Sequence, residues 1–115
     1  MNIQLKRIYE KANKNDGQRV LVDGVWPRGV SKEDAHLDKW LKEIAPSKDL
    51  RQWFGHDPDK FNDFKKKYKE ELKEDQRKEA FNELKGMANK KKLTILFATK
   101  EEDYNHAQVL KNLLK

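Results

Sequence analysis

Cysteine is absent from the 115-residue sequence. That removes disulfides, thiolate metal sites and cysteine nucleophiles together, and it suits a reducing compartment. Long apolar runs are missing as well. No stretch approaches the roughly 20 apolar residues of a membrane span, and the opening "MNIQLKRIYE" has no continuous apolar core of a targeting segment. The expectation is a soluble, cytoplasmic protein with no membrane partner. Also absent are a Walker loop, a dinucleotide glycine fingerprint, histidines at metal-ligand spacing and a serine in an elbow-type glycine context. No metal and no cofactor are therefore expected, and any nucleophile would be Asp, Ser, Thr, Lys, Tyr or water.

What the chain has in abundance is charge. Charged residues make up 40% and apolar residues 36% of the sequence, and the mean hydropathy is -1.14. The apolar residues nevertheless fall in periodic blocks, which argues against disorder and for one domain over residues 1–115 with a modest core. Lys and Arg number 26 against 20 Asp and Glu, a net charge of +6. Such a balance permits nucleic acid or another polyanion as partner. The excess is mostly lysine interleaved with acidic residues on helices, however, the pattern of a solvated face.

Ile3, Leu5 and the following "RIY" read as a first strand, of open direction, and "EKANKNDGQ" as a turn centred on Asp16-Gly17. "RVLVD" is a short second strand. Ser31 stands at a helix cap, and Leu37, Trp40, Leu41 and Ile44 follow at helical spacing, predicting one amphipathic helix that Pro46 ends. Ser47 caps a short helix through "KDLRQWFG", which Gly55 closes. Asp57-Pro58 opens the next, with Phe61, Phe64, Tyr68 and Leu72 on one face. A further helix runs from about Asp75, and "NKKK" is an exposed connection. "LTILFAT" is continuously apolar, as in a central strand of a parallel sheet. The last helix starts near Asp103. The pattern defines an α/β fold: a small, mainly parallel sheet, three strands visible, covered by four or five helices in a single layered domain.

In such sheets ligands bind beyond the carboxyl ends of the strands. "DGVWPRG" and "TKEEDYNHA" leave two such ends, bringing Asp23, Trp26, Arg28, Lys100, Asn105 and His106 to one edge if the strands are neighbours. "RQWFGHDP" adds Arg51, Trp53 and His56 from an irregular stretch. The planar guanidinium of Arg28 suits phosphate or carboxylate, or else pairs with Asp23 or Asp34 to pin its loop. Trp26 is a stacking surface or the lid of the core. Asp23 is a general base or metal ligand, or an acceptor for amides of its own turn. His106 and His56 are candidates to move a proton or contact an anion, or else bond to neighbouring loops. The sequence thus points to a polar, cationic pocket for a small phosphate- or carboxylate-bearing ligand. Two alternatives stand beside it: nucleic-acid binding with Trp26 and Trp53 as stacking surfaces, and a protein-interaction module without catalysis.

The segments "DGQRVLVDGVWPRGVSKEDAHLDKWLKEIAPSKDLRQWFGHDP" and "LTILFATKEEDYNHAQVLKNLL" resemble the YeaO-like branch of the bacterial domain-of-unknown-function family four-eight-eight. "VWPRG", "KEIAPS", "LRQWFGHDP" and "NHAQVL" carry the resemblance. It brings no catalytic assignment with it, so whether the chain is an enzyme stays open. Set against that family's usual pattern, Gly24 stands where arginine is common, and Tyr104 where histidine is frequent. The wider family is similar at fold level to small domains with an anion loop, such as rhodanese-like domains. Their loop carries a nucleophilic cysteine that "FATKEED" lacks, so the likeness implies neither sulfur transfer nor cysteine-dependent phosphatase chemistry.

Overall fold

A computed structural model describes residues Met1–Lys115 and bears out the α/β reading. Four strands form the sheet: β1 (Ile3–Arg7), β2 (Gln18–Leu21), β3 (Lys39–Trp40) and β4 (Leu93–Phe97). Their order is β1-β4-β2-β3 and every pairing is parallel, which settles the direction of the first strand. Leu93 stands opposite both Ile3 and Gln18, so β1 and β2 flank β4 in matching register. Helices α1 (Lys32–Ala35), α2 (Lys48–Phe54), α3 (Phe61–Glu71), α4 (Asp75–Lys90) and α5 (His106–Leu114) complete the chain. No helix is long and apolar enough to cross a membrane.

The strand period divides β4 between two faces. Leu93, Ile95 and Phe97 join the main core with Leu50, Phe64, Tyr68, Leu84 and Leu110 from the helices. Leu96 turns the other way, into a smaller cluster with Ile8, Leu21 and Ala35. Thr94 shares that second face and is fully buried, its hydroxyl donating to the Asp16 carbonyl at 2.6 Å. Burial on both faces explains why this strand reads as an unbroken apolar run.

The caps lie where the sequence puts them. The hydroxyls of Ser31 and Ser47 accept from the amides of Asp34 and Leu50, and Gly55 closes α2 in the left-handed region at φ 53°. Asp57 caps a short 3-10 turn that leads into α3.

The single helix expected from Ser31 to Ile44 does not form. It ends at Ala35, where His36 takes a left-handed conformation (φ 47°), and the chain then runs alongside β2. The Asp38 amide donates to the Arg19 carbonyl at 2.9 Å, and its carboxylate accepts from the Arg19 amide at 2.8 Å. Trp40 and Leu41 therefore alternate: Leu37 and Trp40 pack on the small cluster, while Leu41 and Ile44 enter the main core. An apolar spacing that fits one helix face is here shared between two faces of a sheet.

Asp16 holds the second face together. It is buried and accepts from Gln4 Nε2 (3.1 Å), Lys6 Nζ (3.1 Å), the Asn13 amide (3.0 Å) and the Arg19 guanidinium. Arg19 in turn donates to the Ala35 carbonyl at 2.9 Å, tying α1 to the sheet. Burial pushes the Asp16 pKa up, but the Asn13 amide, Lys6 and Arg19 outweigh it and hold the group at about 2, against 3.8. Because the folded-state pKa is depressed, the stabilisation is complete above pH 3.8 and is lost as pH falls toward 2. Asp16→Asn strands a buried guanidinium and is expected to cost roughly 2–4 kcal/mol at neutral pH. Urea denaturation at pH 7 measures the cost, and the same variant should lose less than the parent on acidification between pH 4 and 2.

Candidate functional site

The loops after β2 and β4 meet because the two strands are parallel neighbours. Asp23 joins them: its Oδ2 accepts from the Ala98 amide at 2.9 Å, across the sheet rather than within its own turn. His106, the first residue of α5, closes the arrangement. Its Nε2 lies 3.2 Å from the Val22 carbonyl and 3.1 Å from Asp23 Oδ1. Both neighbours are acceptors, which assigns the proton to Nε2 and leaves Nδ1 without a protein partner. The better-aligned bond goes to Val22, so Asp23 Oδ1 is buried with a close imidazole but no full hydrogen bond.

Around this pair opens a cavity of about 460 Å³. Asp23, Trp26, Arg28, Arg51, His56 and His106 line it, together with apolar residues from α2 and α3. Trp26 is fixed by its Nε1, which donates to the Val30 carbonyl at 2.7 Å, and by an edge contact with Trp40 at 5.3 Å. It therefore does both things the sequence allowed: it covers the small cluster and walls the cavity. His56 follows Gly55 in the left-handed region (φ 57°), which places its ring 5.5 Å from Phe54. Partial burial, and then the neighbouring His106, lower the His56 pKa below 6.5 and favour the neutral imidazole.

Neither Arg28 nor Arg51 has a carboxylate within 4.0 Å, so the expected alternative of an Arg28 pair with Asp23 or Asp34 is not formed. Both arginines are exposed at the rim, and Asp23 is the one carboxylate in the lining. Three sequence candidates lie elsewhere. Lys100 is exposed outside the cavity. Asn105 is fully buried as the cap of α5, accepting from the Gln108 amide at 2.9 Å and donating to the Glu101 carbonyl at 2.7 Å. Trp53 faces outward, with the ammonium groups of Lys60 and Lys67 at 5.2 and 5.1 Å from its ring.

Sequence reasoning missed Tyr9, Phe54 and Phe64 as cavity walls. Tyr9 follows β1, and the parallel direction of that strand is what brings it to this edge, where its hydroxyl donates to the Arg28 carbonyl at 2.9 Å. Phe54 and Phe64 stack at 4.1 Å, and their spacing on α2 and α3 is indistinguishable from ordinary core. A Cβ at Gly24 would lie 3.3 Å from that of Ala45, so a larger residue there would have to press the two loops slightly apart.

A four-stranded parallel sheet covered by helices, with a cavity at its strand ends, is the architecture of this chain, and its sequence places it in a family. The chain belongs to that family: residues 2–115 match the model described as the inactive DUF488-N3 subclade. It is similar to the uncharacterized protein YeaO of Escherichia coli, 43% identical over 115 residues that cover 100% of this chain and 98% of YeaO. It is also similar to the uncharacterized protein Rv3073c of Mycobacterium tuberculosis, 40% identical over 112 residues, 97% of this chain and 92% of that protein. No solved structure matches it.

The Asp23 contact carries a stability prediction. Asp23→Ala leaves the Ala98 amide unpaired at the sheet edge and is expected to cost about 1–3 kcal/mol, whereas Asp23→Asn keeps an acceptor there and should cost about half as much or less. Urea denaturation of the two variants beside the parent measures the difference.

Proposed function

We propose that this cavity binds a small phosphate- or carboxylate-bearing anion. The observation that carries the reading is the pair of guanidinium groups, Arg28 and Arg51, that share one cavity without a carboxylate partner. Unpaired arginines at a concave site favour an anion, because their fork of N–H donors matches two oxygens at once. The imidazoles of His56 and His106 add donors or protons from the same lining. Description of the subclade as inactive supports binding without turnover.

Removal of one guanidinium should weaken binding of a phosphate or carboxylate ligand roughly tenfold to a hundredfold. The check is a thermal-shift screen of phosphorylated metabolites and carboxylates against the parent, Arg28→Ala and Arg51→Ala. An unchanged ligand-induced shift in both variants would sink the reading. The pH dependence has a definite sign. A bound anion favours the His56 imidazolium, so affinity should rise as pH falls through and below 6.5, with proton uptake on binding. Calorimetry in buffers of different ionisation enthalpy detects that proton, and His56→Gln should abolish it.

A second reading rests on Trp53. Its exposed ring between Lys60 and Lys67, beside the lysine-rich face of α3, is a surface on which a base of single-stranded nucleic acid would stack. Binding of an oligonucleotide that weakens steeply with salt and is lost in Trp53→Ala would favour it.

A further inference from the structure

The cavity is much larger than a small anion needs. At roughly 30 Å³ for each water in the liquid, 460 Å³ corresponds to the volume of about fifteen waters. A phosphate or acetate group fills only a fraction of that. The rest of the lining is not prepared for a polar ligand, either. Trp26 and the exposed Val25 present apolar surface, and the lining also includes the stacked, buried Phe54 and Phe64 and the buried Pro27 and Pro46. The charged and polar side chains are two guanidiniums, two imidazoles, the Thr99 hydroxyl, the Tyr9 hydroxyl already bonded to the Arg28 carbonyl, and one carboxylate already engaged with Ala98. Small-molecule sites have this composition, mostly apolar walls with a few directional groups.

We infer that the ligand is an aryl carboxylate or aryl phosphate, its anionic group on Arg28 and Arg51 and its flat ring against Trp26. This rests on the anion reading above and adds the apolar body. The physical reason is a division of labour. The exposed arginines can hold the charge without desolvating it fully, while the ring removes apolar wall from water. Trp26 is suited to such a contact because its indole is already fixed by Val30 and Trp40, so little side-chain freedom is lost on binding.

The test uses the full chain and a matched set of probes: acetate, inorganic phosphate, 2-naphthoate, 2-naphthyl phosphate and neutral 2-naphthamide. Affinities are read by calorimetry and by quenching of tryptophan fluorescence. The expected result is that naphthoate or naphthyl phosphate binds at least tenfold tighter than acetate, phosphate and naphthamide, with quenching that disappears in Trp26→Phe. That variant keeps a ring on the cavity wall and on Trp40, so it preserves the fold that Trp26→Ala puts at risk. The better of the two aryl anions identifies the head group.

Equal affinity of inorganic phosphate and naphthyl phosphate overturns the aryl body and leaves the anion reading standing. Equal affinity of naphthamide and naphthoate overturns the anion reading, since the rings alone would then account for binding. Quenching as strong in Trp26→Phe as in the parent places the ligand elsewhere, and absence of binding by every probe overturns both.

Discussion

Residues Gln18–Leu21 and Leu93–Phe97 lie side by side and run the same way, and a parallel pair leaves both of its carboxyl ends on one edge of the sheet. Nearly every feature of the cavity follows from that constraint. Asp23 leaves one strand and Ala98 the other, close enough for the carboxylate to take the amide at 2.9 Å. The short turn from Ala98 to Asn105 then starts α5 beside the same edge, so that His106 reaches back to Val22. An antiparallel arrangement would send one of the two loops to the opposite end. Tyr9 obeys the same rule from β1, since that strand is also parallel to β4.

The two faces of the sheet are stabilised by different means. The face toward α2, α3, α4 and α5 is apolar and close-packed, with Phe64, Tyr68, Leu84 and Leu110 almost fully buried. The opposite face has only α1 and the connecting loops to cover it, too little apolar material for a second full core. There the Asp16 carboxylate takes over, gathering Gln4, Lys6, Asn13 and Arg19 around one buried charge. A charge in such a place is tolerable only when all its acceptor sites are used, and here they are. Gly17 makes the approach possible. At φ 66° its missing Cβ would lie 2.5 Å from the Lys92 carbonyl oxygen, so the turn after Asp16 can lie flat against the connection between α4 and β4.

Features set by local chemistry were legible in the sequence. Ser31, Ser47 and Asp57 cap the turns they precede because a side-chain oxygen there satisfies an amide that the helix cannot. The central place of β4 was legible from its unbroken apolar run. Where two structures share one pattern, the reading failed. Leu37, Trp40, Leu41 and Ile44 satisfy a helix period, and only the long-range bonds from Arg19 to Asp38 convert the segment into an edge strand. The cavity was half legible for a similar reason. Charged residues such as Arg28 and Arg51 announce themselves, but a phenylalanine that walls a cavity and one that fills a core have the same spacing and the same neighbours in sequence.

Several local rules are broken around the cavity. Three residues other than glycine have positive φ: His36, His56 and Asp75. His36 ends α1 and Asp75 begins α4, so both serve the path of the chain. His56 also follows a glycine that has already closed α2, and a second left-handed residue is not required to end a helix. Such a conformation costs a residue with a Cβ on the order of 1 kcal/mol. Its consequence is to bring an imidazole beside Phe54 in the cavity lining. Arg28 and Arg51, left without carboxylate partners, and Asp23 Oδ1, buried without a full hydrogen bond, are departures of the same kind in the same place. Asp16 and its neighbours show that this chain can satisfy a buried charge completely. A fold that does so at one end of its sheet leaves a strained histidine, arginines without carboxylate partners and open space at the other.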